Sequence, residues 1–401
     1  MDEPDLLPRL LDCLACQSYR QFKLFVCVNQ PESWQNDPCK KEACENNAAS
    51  LRMLHEFHSP DVTVIDHASK GRGWTGKRHG VGWARKTIMD HINKTADRGD
   101  IILSLDADTV VPVDYFLSIA RNFREHPDAV ALASPYFHRT TSDLDASRAI
   151  LRYEIYMRYY LLNLLRIGSP YAFTALGSAM VLPVWAYRAI GGMTPKLSGE
   201  DFYFLQKLRK YGSILLWNDE MVYPEARFSD RVFFGTGPAM IKGATGDWES
   251  YPLYPVDLFD EILETYRLLP VLYRETISTP VTVFLTSAFG EKEPMLPLRL
   301  NHKDPDHFAR AFHEKFDGLR ILQFLKSSNE RYHATDEENL RDYITRFIPA
   351  EESAALGIRW ETFSFSTSPQ PELEAVRQIL FKKEMEERAI STLQSPGRQP
   401  L

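Results

Sequence analysis

The stretch Ile101-Ile102-Leu103-Ser104-Leu105-Asp106-Ala107-Asp108-Thr109 is an apolar run that ends in two carboxylates one residue apart. The carboxyl end of a strand is where open α/β sheets place their ligands. Two acids side by side at such an end are costly unless something positive lies between them. A divalent cation, Mn2+ or Mg2+, that also bridges ligand phosphates answers that need. Two chemistries want this tip. In one, Asp106 and Asp108 hold the cation against the diphosphate of a nucleotide-sugar, and the metal stabilises the departing nucleoside diphosphate. In the other, Asp106 is a phosphoryl-accepting nucleophile and Asp108 its acid/base partner. The plain structural alternative is that the two acids cap the next element.

Asp-Ala-Asp-Thr-Val also satisfies the Asp-x-Asp-x-Thr/Val pattern of haloacid-dehalogenase-type phosphohydrolases. Those enzymes carry the pattern on their first strand, whereas about three βα-like units precede it here. A second phosphate-like signal is Gly71-Arg72-Gly73-Trp74-Thr75-Gly76-Lys77. It matches Gly-x-Gly-x-x-Gly and most of a P-loop, but Arg78 stands where a P-loop needs Ser or Thr for its magnesium. What survives is a cluster of backbone N–H groups with Lys77 and Arg78 near a helix start, which favours an anion. The bland reading is a solvated basic turn. Gly199-Glu200-Asp201 opens a third segment of interest. Acids are ordinary at a helix start, yet a sugar transfer needs a base for the incoming hydroxyl, and Asp201 is the candidate.

These residues need elements to position them, and the pattern alternates helix and strand through the first half, which makes a parallel sheet plausible. Helices are expected over 6–17, 42–57, from the Gly-rich loop to about His91, 115–123, 147–165 and 202–211. Strands are expected over 22–28, 62–65, 100–105, 129–133, 174–182 and 214–217. Beyond about Gly246 the alternation fades into helical segments at 258–273, 306–326 and 371–390. The expected organisation is therefore a sheet domain over 1–245, a helical extension over 246–390 and a flexible tail over 391–401. The Tyr-rich helix 147–165 has two readings, a membrane-surface face or a core and substrate wall, and the second is the commoner use of such a stripe.

Composition narrows the class. With 44% hydrophobic and 25% charged residues over 401 positions, the chain affords a real core and is neither disordered nor fibrous. A net charge of −7 argues against a nucleic-acid partner. No run is apolar and long enough for a membrane span, and Met-Asp-Glu-Pro-Asp lacks the basic start of a secretory signal, so the expected compartment is the cytoplasm. All five cysteines lie within the first 44 residues. Cys13 and Cys16 fall in an apolar helix and Cys27 in a strand, so buried free thiols are expected rather than a zinc site, since Cys39 and Cys44 bring loose spacing and no His pair.

In this order the pieces resemble the family 2 glycosyltransferases. Leu7 to Tyr19 resembles the family's first helix with its Gln-x-Tyr ending, and Gly73 to Arg85 the loop and helix before the metal strand. Leu105 to Pro112 resembles the Asp-x-Asp segment, and Gly199-Glu200-Asp201-Phe202 with Leu205, Leu208 and Tyr211-Gly212 the Glu-Asp helix. The resemblance covers about residues 5–245. It implies a GT-A fold, α/β with a nucleotide-binding mixed sheet flanked by helices, and an inverting transfer that depends on a divalent cation. It implies that Asp106 meets the ribose and metal region, that Asp108 ligates the cation, that Asp201 is the general base and that Glu200 orients it. Lys77 and Arg78 would approach the base or diphosphate, Asn29 the nucleobase, and Arg231 the diphosphate. The implied partners are a nucleotide-sugar donor and a carbohydrate or glycolipid acceptor, in cell-surface polysaccharide or glycolipid synthesis, with peripheral contact at the inner face of a membrane. Two departures stand out. The sequence starts at about the helix that follows the family's first strand, so either the start lies upstream or the donor site lacks one wall, and the second case leaves a catalytically silent binding protein as an alternative. No Gln-x-x-Arg-Trp motif follows the Glu-Asp helix, which favours single addition over processive synthesis.

Overall fold

Leu7, Leu10, Leu11 and Leu14 repeat at helical spacing, and in the computed structural model all four are buried on one face of α1 (Leu7–Ala15). The structure describes residues 5–57, 61–226 and 236–393. Leu7 and Leu11 pack with Val28, Leu51, Leu54 and Ala68, which ties α1 to β1 (Leu24–Asn29) and α2 (Lys41–Glu56). β1 pairs in parallel with β2 (Val62–His67), from Leu24 opposite Val62 to Asn29 opposite His67. Next come α3 (Val81–Thr95), β3 (Ile101–Ser104), β4 (Thr109–Val110), α4 (Tyr115–Glu125) and β5 (Ala131–Ala133). After α5 (Leu144–Arg166) follow β6 (Met180–Pro183), α6 (Val184–Ala189), α7 (Glu200–Tyr211), β7 (Ile214–Leu215), β8 (Tyr223–Pro224) and α8 (Thr236–Ala244).

The architecture is α/β with small sheets flanked by helices. Four strands form one sheet in the order β3-β6-β5-β7. The pairs β3/β6 and β5/β6 are antiparallel and β5/β7 is parallel. Among the described strands the parallel pairing suggested by alternation is realised in β1/β2 and β5/β7. β4 and β8 form a separate two-stranded antiparallel ladder. The strand expected over 174–182 is shorter: residues 177–179 make a 3-10 turn, and only Met180–Pro183 joins the sheet.

The chain forms two compact units, one of Met1–Ile150, Thr174–Thr245 and Arg388–Leu401, the other of Leu151–Phe173 and Gly246–Glu387. α5 and the last helix each run from one unit into the other. The second unit is helical, with α9 (Val256–Arg267), α10 (Leu269–Leu272), α11 (Pro280–Phe289), α12 (Leu296–Asn301), α13 (Pro305–Lys315), α14 (Gly318–Asn329), α15 (Asp336–Phe347), α16 (Ala350–Ala355) and α17 (Gln370–Leu393). The helix expected over 306–326 is two helices, because Asp317 caps α14 by accepting from the Arg320 N–H. α17 carries the first residues of the expected tail, and 394–401 lie outside the described residues.

Within the second unit Tyr153 and Tyr159 are buried and Tyr156 and Tyr160 half-buried. Tyr153 and Tyr156 pack edge-on against Tyr251, so the Tyr stripe is core. The same unit buries an ionic ladder. Arg158 pairs with Glu154 at 2.6 Å and Glu384 at 2.5 Å, and Arg377 reaches Glu154 at 2.7 Å. Among the described residues no helix is long and apolar enough to cross a membrane. The five cysteines are free, but Cys16 and Cys39 are exposed and the other three half-buried. The expected burial fails most plainly at Cys16, which sits at the C-cap of α1.

Candidate functional site

β3 ends at Ser104, and Asp106 to Thr109 form a turn closed by the Thr109 N–H on the Asp106 carbonyl. β4 then leaves toward β8, and the Glu225 N–H donates to the Asp108 carbonyl. The turn thus holds both acids at the strand end, each half-buried. Asp106 lies against Arg85 of α3, with Nη2 at 2.5 Å from Oδ1. The other arm of the same guanidinium, Nη1, pairs with Glu200, whose side chain is 4% exposed. Arg85 fits there because Gly177 faces it. A Cβ at Gly177 would overlap the guanidinium, so a larger residue there would push Arg85 out of this position.

Glu200 and Asp201 are the first residues of α7, after Gly199 in the left-handed region at φ 69°. The helix start favours both acids. Asp201 is half-buried and its Oδ1 accepts from the Phe202 N–H at 2.8 Å. Burial first, and then the Glu200 charge, pushes its carboxyl up to about 7, with Asp106 adding to the rise and Arg85 opposing it. Against the burial of its own side chain, the guanidinium is held charged by Asp106 first and then by Glu200. One cation among three acids leaves a surplus of negative charge, which adds to the effect of burial in raising Asp201. A group poised there suits proton transfer.

The structure therefore brings Asp106, Glu200 and Asp201 together around Arg85. Among the described residues Asn29, Lys77 and Arg78 make no hydrogen bond or ion pair with that cluster. Asn29 closes β1 opposite His67 and is 6% exposed, and its Oδ1 has no hydrogen-bond partner. A buried acceptor in that state is costly until a donor reaches it. Lys77 and Arg78 are exposed, and Arg78 lies over the Trp83 ring at 5.8 Å. Arg231 lies outside the described residues.

The anion cradle expected of the Gly-rich loop is filled from within the chain. The Gly71 and Gly73 N–H groups donate to the Glu32 carboxylate at 2.9 and 2.7 Å. Asp66 accepts from the Ala68 and Ser69 N–H groups and pairs with Arg72. These carboxylates fix the loop, and they correct the reading of its first half as a phosphate site. Arg85 is the residue that sequence reasoning missed. Its signal was present, since it lies on the buried face of α3 with Ala84 and Met89, where a charge is expensive without partners.

Among the described residues no group of three or more His, Cys, Asp or Glu stands ready for a metal. Asp106 and Asp108 supply hard oxygen donors beside a surplus of negative charge. That suits a magnesium-like ion that takes one or two protein carboxylates and completes its shell with ligand phosphates and water.

Residues 101–243 match the family model described as glycosyl transferase family group 2. The matched segment contains Asp106, Asp108, Glu200, Asp201 and Arg231, so the resemblance read from the motifs is found again there. The match is to sugar transferases rather than to phosphohydrolases. The heat-inducible transcription repressor HrcA of Halalkalibacterium halodurans is 23% identical over 151 residues, which are 36% of this chain and 43% of that protein. The crystal structure of S. aureus TarS is similar with a TM-score of 0.39 and 13% identity, over 83% of this chain and 54% of that one. The chain thus spans about half or less of each of these proteins.

Proposed function

We propose that this protein transfers a sugar from a nucleotide-sugar donor to an acceptor hydroxyl with inversion at the anomeric carbon. The observation that carries the reading is the placing of Asp201 at the start of α7, with Glu200 and Asp106 gathered on one guanidinium at a strand end. The three acids lie inside the segment that matches group 2 glycosyl transferases.

Asp201 takes the acceptor's hydroxyl proton on a carboxylate oxygen. The freed oxygen pair attacks the anomeric carbon from the face opposite the diphosphate, and the bond from that carbon to the diphosphate oxygen breaks with its electrons on the leaving group. Arg85 ties Glu200 and Asp106 in place, so that the base and the donor end of the site keep one geometry. Asn29 offers its unpaired carbonyl oxygen to a donor N–H of the nucleobase. Lys77, Arg78 and Arg231 add positive charge for the diphosphate. Asp106 and Asp108 would hold a Mn2+ or Mg2+ ion, which when bound supplies charge stabilisation to the leaving nucleoside diphosphate. The acceptor is a carbohydrate or glycolipid, and the setting is cell-surface polysaccharide or glycolipid synthesis on the cytoplasmic side of a membrane.

The test is nucleoside diphosphate release from a panel of nucleotide-sugars with Mn2+ or Mg2+ and mixed carbohydrate acceptors. Products are read by mass spectrometry and the anomeric configuration by NMR. Asp201→Asn should slow transfer by about 10²- to 10⁴-fold, the usual worth of a positioned base. Transfer at the wild-type rate by that variant would remove Asp201 from the mechanism.

A further inference from the structure

Thr194, Lys196, Tyr203, Phe204 and Lys207 line a cavity of about 190 Å³ on the flank of α7. Pockets for drug-sized ligands run to about 300–1,000 Å³, so this one is sized for a small group. Its lining is chiefly apolar, with the Tyr203 and Phe204 rings, and two lysine ammonium groups border it. Lys196 Nζ stands over the Tyr203 ring at 4.9 Å. Lys207 Nζ donates to the Gly192 carbonyl at 3.0 Å, which leaves two of its three protons for a ligand. Among the described residues neither lysine has a carboxylate partner, although acids outnumber bases in the chain by 54 to 47.

The cavity belongs to the same local frame as the carboxylate cluster. Tyr203 and Lys207 are four residues apart and share a face of α7, and their side chains lean toward the N-terminus, where Glu200 and Asp201 sit. Lys207 lies about 9 Å along the axis from Asp201. Lys196 is held near the cluster by α3. Its carbonyl and the Glu200 Cβ both crowd the place where a Cβ on Gly82 would lie.

We propose that this cavity is an anion site that holds a phosphate group of the acceptor while a hydroxyl of the same acceptor reaches Asp201. Lysines act on phosphate as point charges, and the partly exposed Tyr203 side chain lies beside them. The acceptor is then a phosphorylated carbohydrate or a lipid-linked phosphate. Its role as acceptor rests on the proposed sugar transfer, whereas phosphate binding at the two lysines does not.

The experiment is titration calorimetry of the full chain with glucose 6-phosphate, glucose, and UDP with Mn2+. It is run on the wild type, Lys196→Gln, Lys207→Gln and the double variant. Co-sedimentation with phosphatidylcholine vesicles, with and without phosphatidic acid, is run in parallel. The expected result is binding of glucose 6-phosphate but not glucose. Either substitution weakens it about threefold, the double at least about tenfold, and rising salt acts in the same direction. Phosphatidic-acid-dependent sedimentation that the double variant loses supports the site with a lipid phosphate as source. Loss of glucose 6-phosphate binding alone supports a soluble one. Phosphate binding that ignores both lysines, or none to either probe, overturns the inference. Equal loss of UDP binding in the double variant also overturns it, because the lysines would then serve the donor. Lysine-dependent phosphate binding in a protein that ignores UDP, GDP, dTDP and CMP, each tried with Mn2+, would sustain the site and count against sugar transfer.

Discussion

Replacing Asp201 by Asn should slow transfer while stabilising the protein, and the stabilisation should grow with pH. The Asp201 carboxyl is pushed from 3.8 up to about 7, by burial first and by Glu200 next, with Arg85 pulling it back. An acid whose pKa in the fold lies above its value in the open chain binds more protons when folded. Wild-type stability therefore falls as pH rises from about 4 to about 7 and levels off above that. At about 1.4 kcal/mol for each tenfold change in proton affinity, that rise sets a ceiling of about 4 kcal/mol above pH 7. Asn has nearly the same shape, offers an oxygen to the Phe202 N–H, and carries no charge at any pH. Discounted for solvent at a half-buried group, the gap between variant and wild type should widen by about 2 kcal/mol between pH 5 and pH 7.5. In thermal melts that is roughly 4–8 °C for a unit of this size. A gap that is equal at the two pH values, or that narrows, would refute the charge balance assigned to this cluster.

Arg85→Met should leave Glu200 buried without its countercharge and cost about 3–5 kcal/mol in chemical denaturation. Because Arg85 holds Asp201 down, the same variant should move the acid limb of the pH–rate profile to higher pH, and an unmoved limb would separate Arg85 from the base. In the second unit, Arg158→Met strips a partner from both Glu154 and Glu384, none of them exposed. A similar loss of about 3–5 kcal/mol is expected, and a loss under about 1 kcal/mol would mean the ladder is not a closed ionic unit. Alkylation of the native protein near pH 8 should label the exposed Cys16 and Cys39 and spare Cys27, whose thiol burial pushes up to about 12. Early labelling of Cys27 would contradict that environment.

What the sequence made legible was whatever depends on local periodicity or on residue type at a strand end. The four leucines of α1, the apolar run of β3 and the acids at 200 and 201 lie where the pattern puts them. The strand expected over 174–182 was overlong because its apolar and small residues look alike in a ladder or a turn. Gly177 is there to clear Arg85, a contact set by a residue 92 positions earlier. β4 and β8, two residues each, carry no pattern at all and exist only as each other's partners. The break between α13 and α14 was written in Asp317, an N-cap just before Gly318, but the apolar spacing on either side hid it. The Gly-rich loop shows the limit most clearly. Its N–H groups do gather around an anion, as their chemistry predicts, yet the anion is Glu32, some 40 residues upstream. Arg85 is the converse case, a residue without a motif of its own that organises three acids once the fold assembles them.

The claim that the Asp106–Asp108 turn binds a nucleotide diphosphate is tested most directly by a thermal-shift panel. UDP, GDP, dTDP and CMP are each added with and without Mn2+, to the wild type and to Asp108→Asn. The account predicts that one nucleoside diphosphate raises the melting temperature only when Mn2+ is present, by the equivalent of about 2.7 kcal/mol at a hundredfold excess over Kd. It also predicts that Asp108→Asn loses that shift while melting normally without ligand. No shift with any nucleotide, or a shift that Asp108→Asn retains in full, would contradict it.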